Sequence, residues 1–307
     1  MGILLSCAEM NQLVTVRLST LLAMSRVSNL PSIWSNCLAG WVLCGAHTSL
    51  KLLLLLSGVS LLYLGGCFLN DAFDAEQDRR RRPSRPLPSG KISPEWVWRI
   101  GFGLLILGVL LLVPCSTLSG VGAVLLVVFI LLYNATHQIL TASPWILGLC
   151  RFWIYFIAGA AGANGLNGWA IYVGLALMIY TAGMGHIARQ EHTRGVIPQW
   201  PLSLLAAPLI LALIMNTGHA LLVVLLVAVV FGLWTARSVR NIFLRQVTNP
   251  ARVAANLLAG IIWLDWLAVV PEAPVWLHFI FPILFGLTKW LQVAGDTLMP
   301  ESQLSRA

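Results

Sequence analysis

Apolar residues run through this chain in long blocks, with polar residues confined to the gaps between them. Stretches such as LKLLLLLSGVSLLYLGGCFL and GVGAVLLVVFILLY show no alternation of period two. Each is long enough, as helix, to cross a hydrocarbon core, which takes about 20 residues. Lipid cannot satisfy the open edge of a strand, so blocks of this kind are helical. The pattern places ten candidate segments near 30–47, 51–70, 96–114, 118–136, 144–164, 169–188, 201–216, 219–237, 252–270 and 274–293, the seventh being the shortest. It predicts an all-α, polytopic transmembrane helical bundle built from these ten candidate segments.

Composition agrees. Apolar residues make up 58% of the chain and charged residues only 10%, with a mean hydropathy of +0.84. A soluble domain carries roughly a quarter charged residues. The net charge of +8 would suggest nucleic acid in a soluble protein, but topology explains it better. With the N-terminus in the cytoplasm, sixteen of the nineteen Lys and Arg fall in or beside cytoplasmic segments. Only Lys51 lies outside, and Arg151 and Lys289 lie within spans. Such enrichment orients multi-pass proteins, so the partner implied is the lipid bilayer and not nucleic acid. External connections (PCSTLS, GLNG, NTGH) are short and nearly uncharged. The working face is therefore expected on the cytoplasmic side, in the plasma membrane of a bacterium. Six cysteines form no CxxC pair and read as small core residues. The start, MGILLSC, is expected to carry no cleaved targeting segment, since the apolar run before Cys7 is too short.

One stretch breaks the pattern: NDAFDAEQDRRRRPSRPLPSG, residues 70–90. If the second helix continues through it, Asp71, Asp74 and Asp78 occupy neighbouring turns of one face. Carboxylates so close repel unless a cation sits among them. Hard oxygen ligands suit Mg²⁺, which binds through a few carboxylates and a ligand's phosphates. Arginine forks downstream match phosphate geometry. Acid and base together describe a metal–diphosphate site, although the run Arg79–Arg82 by itself reads as an orientation anchor.

NDAFDAEQD resembles the NDxxDxxxD motif of the UbiA superfamily of intramembrane prenyltransferases, and RPLPSG continues it in the expected place. The resemblance extends over residues 17–270, including RVSNLPSIWSNCLAG at the start. It divides the chain into a tail (1–16), a prenyltransferase transmembrane domain (17–270) and an extra C-terminal helix with a short tail (271–307). It implies transfer of a polyprenyl group from an isoprenoid diphosphate to a small acceptor, aromatic in the commonest case, as in quinone or related lipid biosynthesis. Asp71, Asp74 and Asp78 would be Mg²⁺ ligands, Asn70 a site organiser and Arg85 a diphosphate contact. The family's second Asp-rich motif is replaced by GHIARQEHTRG, where Glu191 is the lone acid and a candidate metal ligand, with Arg189 a candidate diphosphate contact.

Further polar residues join the candidates. Arg151 sits about 10 Å into its helix, where a charge faces protein or a wet cavity, or else snorkels; it is assigned to the diphosphate. Asn36 resembles a polar position that the family places in its cavity, and helix–helix hydrogen bonding is the alternative. Tyr133, Asn134 and His137 end the fourth segment and would border the acceptor pocket, with interfacial anchoring equally able to explain Tyr133. Asp265 and His278 are expected to pair at equal depth as a structural contact away from the active face. Two readings outside enzymology stay open: a cation-coupled transporter and a non-catalytic membrane scaffold. A CDP-alcohol type phosphotransferase lacks its DG…AR signature here.

Overall fold

The computed structural model describes residues 18–46, 50–189, 199–215, 221–243 and 250–298. They fold as helices: α1 (Leu18–Ser25), a 3₁₀ turn (Val27–Asn29), α2 (Leu30–Leu43), α3 (Leu50–Phe73), α4 (Ala75–Arg81), α5 (Pro94–Leu112), α6 (Thr117–Thr136) and α7 (Ser143–Ala161) come first. They are followed by α8 (Gly168–Arg189), α9 (Trp200–Leu204), α10 (Ala207–Met215), α11 (Leu221–Phe243), α12 (Pro250–Val269) and α13 (Leu277–Leu298). Among the described residues, eight helices are long and apolar enough to cross a membrane.

The ends of these helices follow local chemistry. Proline stands in the first turn of α2, α5 and α7, where its missing N–H costs nothing. Ser116 caps α6 by accepting a hydrogen bond from the Ser119 amide at 3.0 Å. Gly45 takes φ +82° just after α2, a conformation that stops a helix and that glycine adopts without strain.

Each of the ten expected segments contains helix, with one difference. Segment 201–216 is not a single span but two short pieces, α9 and α10, meeting at Leu205 and Ala206. Pro201 and Pro208 lie near the starts of the two pieces, where proline is tolerated, whereas a continuous helix would carry Pro208 in its interior. The tenth segment is a full helix of 22 residues.

Helix α2 is the hub. All its residues except Trp34 are buried, as expected of a helix that is apolar all round. It packs against α7 and α12, and more lightly against α3 and α13. One apolar cluster fills the space between α2, α7, α8, α11, α12 and α13, and another joins α2, α3, α5, α6 and α7. The α3–α5 contact is close because small residues face each other: a Cβ at Gly65 would lie 2.8 Å from the Gly101 carbonyl oxygen. Outward-facing Ile106, Leu110, Leu222 and Leu226 are exposed, the surface a bilayer would cover.

Candidate active site

The last turn of α3 carries Asn70 and Asp71, both buried. The helical register then persists across the α3–α4 junction: the Asp74 amide donates to the Asn70 carbonyl at 2.9 Å and the Asp78 amide to the Asp74 carbonyl at 2.8 Å. Asp71, Asp74 and Asp78 therefore occupy successive turns, as the spacing requires.

Their side chains divide into two groups. Arg85 donates to Asp78 at 2.6 Å and stands 3.7 Å from Asp71, so one guanidinium joins two buried carboxylates. Arg26 donates to Asp71 at 3.0 Å and to Asn70 at 2.6 Å. Asp74 turns the other way. It meets His137 Nε2 at 3.1 Å and accepts a hydrogen bond from the Gln138 amide. Asn70 also donates to Asn134 at 3.3 Å, and Asn134 donates to the Gly66 carbonyl at 3.1 Å. The ends of α1, α3 and α6 are thus tied together around the aspartates. Arg79 and Arg80 lie outside this cluster, paired with Glu76 on the exposed face of α4.

Electrostatics reflect the split. Burial alone would raise the Asp74 carboxyl, but the hydrogen bond and charge of His137, the Gln138 amide and Arg26 outweigh it and hold Asp74 below its ordinary value. Burial likewise opposes charge on His137, yet Asp74 and the Asn134 and Tyr133 carbonyls lift it above its ordinary value. His137 Nδ1 faces those two carbonyls at 3.2 Å each. With only acceptors around both ring nitrogens, the imidazolium is the form that satisfies them all. The Tyr133 ring stacks on it, centroids 5.1 Å apart.

Two residues expected at the diphosphate, Arg151 and Arg189, are engaged with protein partners. Arg151 is buried in a network that crosses α2: it donates to Asn36 Oδ1 at 2.6 Å, to the Ser32 carbonyl at 3.2 Å and to Ser32 Oγ at 3.1 Å. Asn36 in turn donates to Asp265 at 2.7 Å, and Ser35 and Tyr155 each donate to the same carboxylate at 2.5 Å. The expected Asp265–His278 pair is therefore not formed. Residues 265 and 266 point about 100° apart on α12, so Asp265 faces α2 and α7 while Trp266 reaches α13 and donates to His278 Nδ1 at 2.9 Å. Arg189 is held by the α6–α7 connection, donating to the Leu140 carbonyl and to Ser143 Oγ. Glu191 lies outside the described residues.

Several participants went unrecognised in the sequence. Arg26 counted only as an orientation charge, although it is the first residue of RVSNLPSIW. Its backbone takes φ +46°, an uncommon conformation for a side-chain-bearing residue that sites tend to concentrate. Gln138, Ser32, Ser35 and Tyr155 are neutral and carried no signal of their own.

Among the described residues, no three His, Cys, Asp or Glu side chains stand close enough to enclose an ion by themselves. Mg²⁺ commonly takes only one or two carboxylates and completes its shell with phosphate and water. Asp71 and Asp78, buried and drawn together by Arg85, fit that requirement.

Known proteins resemble this chain in sequence and in fold. The model of the UbiA prenyltransferase family matches residues 30–198, over half of the chain. The 4-hydroxybenzoate octaprenyltransferase of Aliivibrio fischeri is 30% identical over 151 residues, 47% of this chain and 50% of that protein. The digeranylgeranylglyceryl phosphate synthase of Methanothrix thermoacetophila is 35% identical over 120 residues, 36% of this chain and 43% of that protein. The chain thus spans about half the length of the curated relatives it matches. Two solved structures share the fold. A UbiA homologue from Archaeoglobus fulgidus, bound to GPP and Mg²⁺, matches with a TM-score of 0.51 and 14% identity over 91% of this chain and 99% of its own. The apo structure of a UbiA homologue from Aeropyrum pernix matches with a TM-score of 0.51 and 15% identity over 86% and 98%. With its apolar helices, its first Asp motif at a helix end and this family match, the protein is an integral multi-pass membrane protein, and the chain belongs to the UbiA prenyltransferase family.

Proposed function

We propose that this protein is a Mg²⁺-dependent intramembrane prenyltransferase, moving a prenyl group from an isoprenoid diphosphate to a small aromatic acceptor. The observation that carries the reading is the convergence of buried Asp71 and Asp78 on Arg85, with Arg26 on Asp71, at the end of an apolar helix. Asp71 and Asp78 would hold Mg²⁺, with Asp74 reaching it once released from His137. Bound there, Mg²⁺ supplies positive charge to the departing diphosphate.

The chain's own residues account for the rest. Arg26 and Arg85 present further N–H groups suited to phosphate oxygens. Asn70, gripped by Arg26 and Asn134, keeps the turn of α3 in register beneath them. As the allylic C–O bond breaks, its electron pair leaves with the diphosphate, and fixed cations at that point lower the barrier. The acceptor ring then forms the new C–C bond and loses a proton. Tyr133 and His137, beside Asp74, would border the acceptor. The Lys and Arg asymmetry supports a cytoplasmic active face, and the bacterial octaprenyltransferase relatives support the plasma membrane of a bacterium. A glycerol phosphate acceptor is the second reading, favoured by the similarity to digeranylgeranylglyceryl phosphate synthases.

The test uses the protein in nanodiscs with Mg²⁺, a panel of prenyl diphosphates, and 4-hydroxybenzoate and glycerol phosphate in separate reactions. Diphosphate release and lipid products are followed by mass spectrometry. Product is expected to vanish with EDTA and to fall about 10²-fold or more in Asp71→Asn and Asp78→Asn. An intact protein that neither binds nor consumes any prenyl diphosphate would overturn the proposal. Cation transport into vesicles without diphosphate chemistry would favour a transporter.

A further inference from the structure

A polar cavity opens between α11 and α12. It has a volume of about 180 Å³ and is lined by Trp234, Arg237, Ser238 and Arg240 of α11 and by Asn256 of α12. It shares no residue with the aspartate cluster. Its wall is braced from three helices. The Trp234 indole donates to the Asn256 carbonyl at 2.8 Å. Lys289 of α13 donates to Asn256 Oδ1 and to Gln292 Oε1, both at 2.8 Å, and lies 5.7 Å over the Trp234 ring. Gln292 donates back to the Ala255 carbonyl at 2.9 Å.

Arg237 and Arg240 stand exposed at this cavity. Among the described residues, no hydrogen bond or ion pair engages their guanidinium groups, and no carboxylate lines the cavity. An orientation signal alone needs positive charge near a helix end. It needs neither a braced cavity nor a lysine inside a span. Lys289 lies nine residues before the end of α13, about 13 Å of helix rise. An ionisable group at such a position is expensive and generally serves a purpose.

Guanidinium forks beside an amide NH₂ group form a phosphate receptor, and Ser238, whose hydroxyl donates to the Trp234 carbonyl at 2.8 Å, shapes its wall. The surroundings favour a phosphate carried by a lipid. Leu233, one turn before Arg237, and Trp290 and Val293, flanking the Lys289 turn, are exposed apolar side chains. They offer a surface for acyl chains on two of the helices that build the cavity and its brace. We infer that the cavity of Arg237, Ser238, Arg240 and Asn256 binds the phosphate of an anionic membrane-lipid headgroup. The site is independent of the prenyl-transfer reading.

The test uses the full chain purified from nanodiscs of phosphatidylcholine containing phosphatidylglycerol. Retained lipid is read by native mass spectrometry, and thermal unfolding is titrated with short-chain phosphatidylglycerol, short-chain phosphatidylcholine or inorganic phosphate. Phosphatidylglycerol is expected to be retained selectively and to raise the unfolding temperature. The double variant Arg237→Ala/Arg240→Ala should weaken its half-saturation about thirtyfold, the weight of two arginines at a membrane surface. Arg237→Gln/Arg240→Gln provides the same test should the alanine pair fold poorly. Lys91→Ala/Arg99→Ala removes equal charge elsewhere and should leave binding unchanged. No preference for phosphatidylglycerol over phosphatidylcholine, or an equal loss in the Lys91/Arg99 pair, would overturn the site. Protection by inorganic phosphate matching that by the lipid would keep the phosphate receptor and overturn its assignment to lipid.

Discussion

Asp265→Asn is the most informative single change in the bundle. Asp265 is fully buried, and three donors converge on it: Ser35 at 2.5 Å, Asn36 at 2.7 Å and Tyr155 at 2.5 Å. Asn36 meets it with an NH₂ group that can only donate, while the Ser35 and Tyr155 hydroxyls can donate or accept. The new amide keeps one acceptor oxygen and turns an NH₂ group toward the remaining donors. With its oxygen toward Ser35 and Asn36, the NH₂ group meets Tyr155 Oη, which accepts, and the buried Tyr155 proton loses its acceptor, at about 1–3 kcal/mol. The Asp265 carboxyl faces the Arg151 charge across the shared Asn36, with no direct contact between the two; leaving one member of a buried ion pair alone costs about 3–5 kcal/mol, and the intervening amide puts this change at the lower end. These effects belong to one network and do not add. Hydrogen bonds between membrane helices average only about 0.6 kcal/mol, because the unfolded chain finds other partners in the bilayer. Three such bonds would total about 2 kcal/mol, so loss of charge balance decides the outcome at about 3 kcal/mol. In detergent this should lower the unfolding temperature by about 6 °C. A thiol-reactive dye reports it, since Cys37, Cys44, Cys67 and Cys115 are buried. The swap Asp265→Asn/Asn36→Asp moves the carboxylate to within reach of Arg151 and should recover more than half of the loss. A single variant melting within about 1 °C of the parent, or a swap no better than the single change, would refute the charge-balance reasoning.

Two further outcomes follow from local geometry. His137 is held above its ordinary value of 6.5, so its contribution is complete below about pH 6.5 and is lost as pH rises through the folded value. Asp74 is held below its ordinary 3.8, so its contribution is present above that value and is lost as pH falls through the folded one. The stability gap between the parent and His137→Gln should therefore peak at mildly acidic pH and shrink in alkaline buffer, at about 1 kcal/mol at most for so small a partly exposed pair; a gap that grows with pH would contradict the assignment. Gly148→Ala places a Cβ 2.5 Å from the Met178 carbonyl oxygen and should destabilise by about 1–3 kcal/mol by forcing α7 from α8. Gly103→Ala meets nothing within 4 Å and should be neutral or stabilising by up to about 1 kcal/mol; equal melting of the two proteins would contradict the close α7–α8 contact.

Spans and their order were legible because a bilayer imposes length and apolarity on every crossing, and each such segment satisfies its own backbone. The first Asp motif was legible for a related reason. Asn70, Asp71, Asp74 and Asp78 sit close in sequence, so helical periodicity alone puts them on adjacent turns. What periodicity cannot give is the partner from another helix. Arg26 joins Asp71 across 45 residues and Gln138 joins Asp74 across 64, and neither pairing leaves a local trace. The interruption between α9 and α10 was missed because both pieces are apolar, and hydropathy does not register a break of the backbone within an apolar run. Asp265 shows the division most clearly. Its depth in the membrane followed from counting residues, and that depth made His278 an eligible partner. Which face of α12 it occupies depends on how the helix is rotated against α2 and α7, and rotation is set by side-chain packing along the whole interface. A membrane-spanning helical bundle with an acidic motif at one end could thus be read from residue order. Which charges meet could not, because those contacts depend on helix rotation and separation, which no single segment specifies.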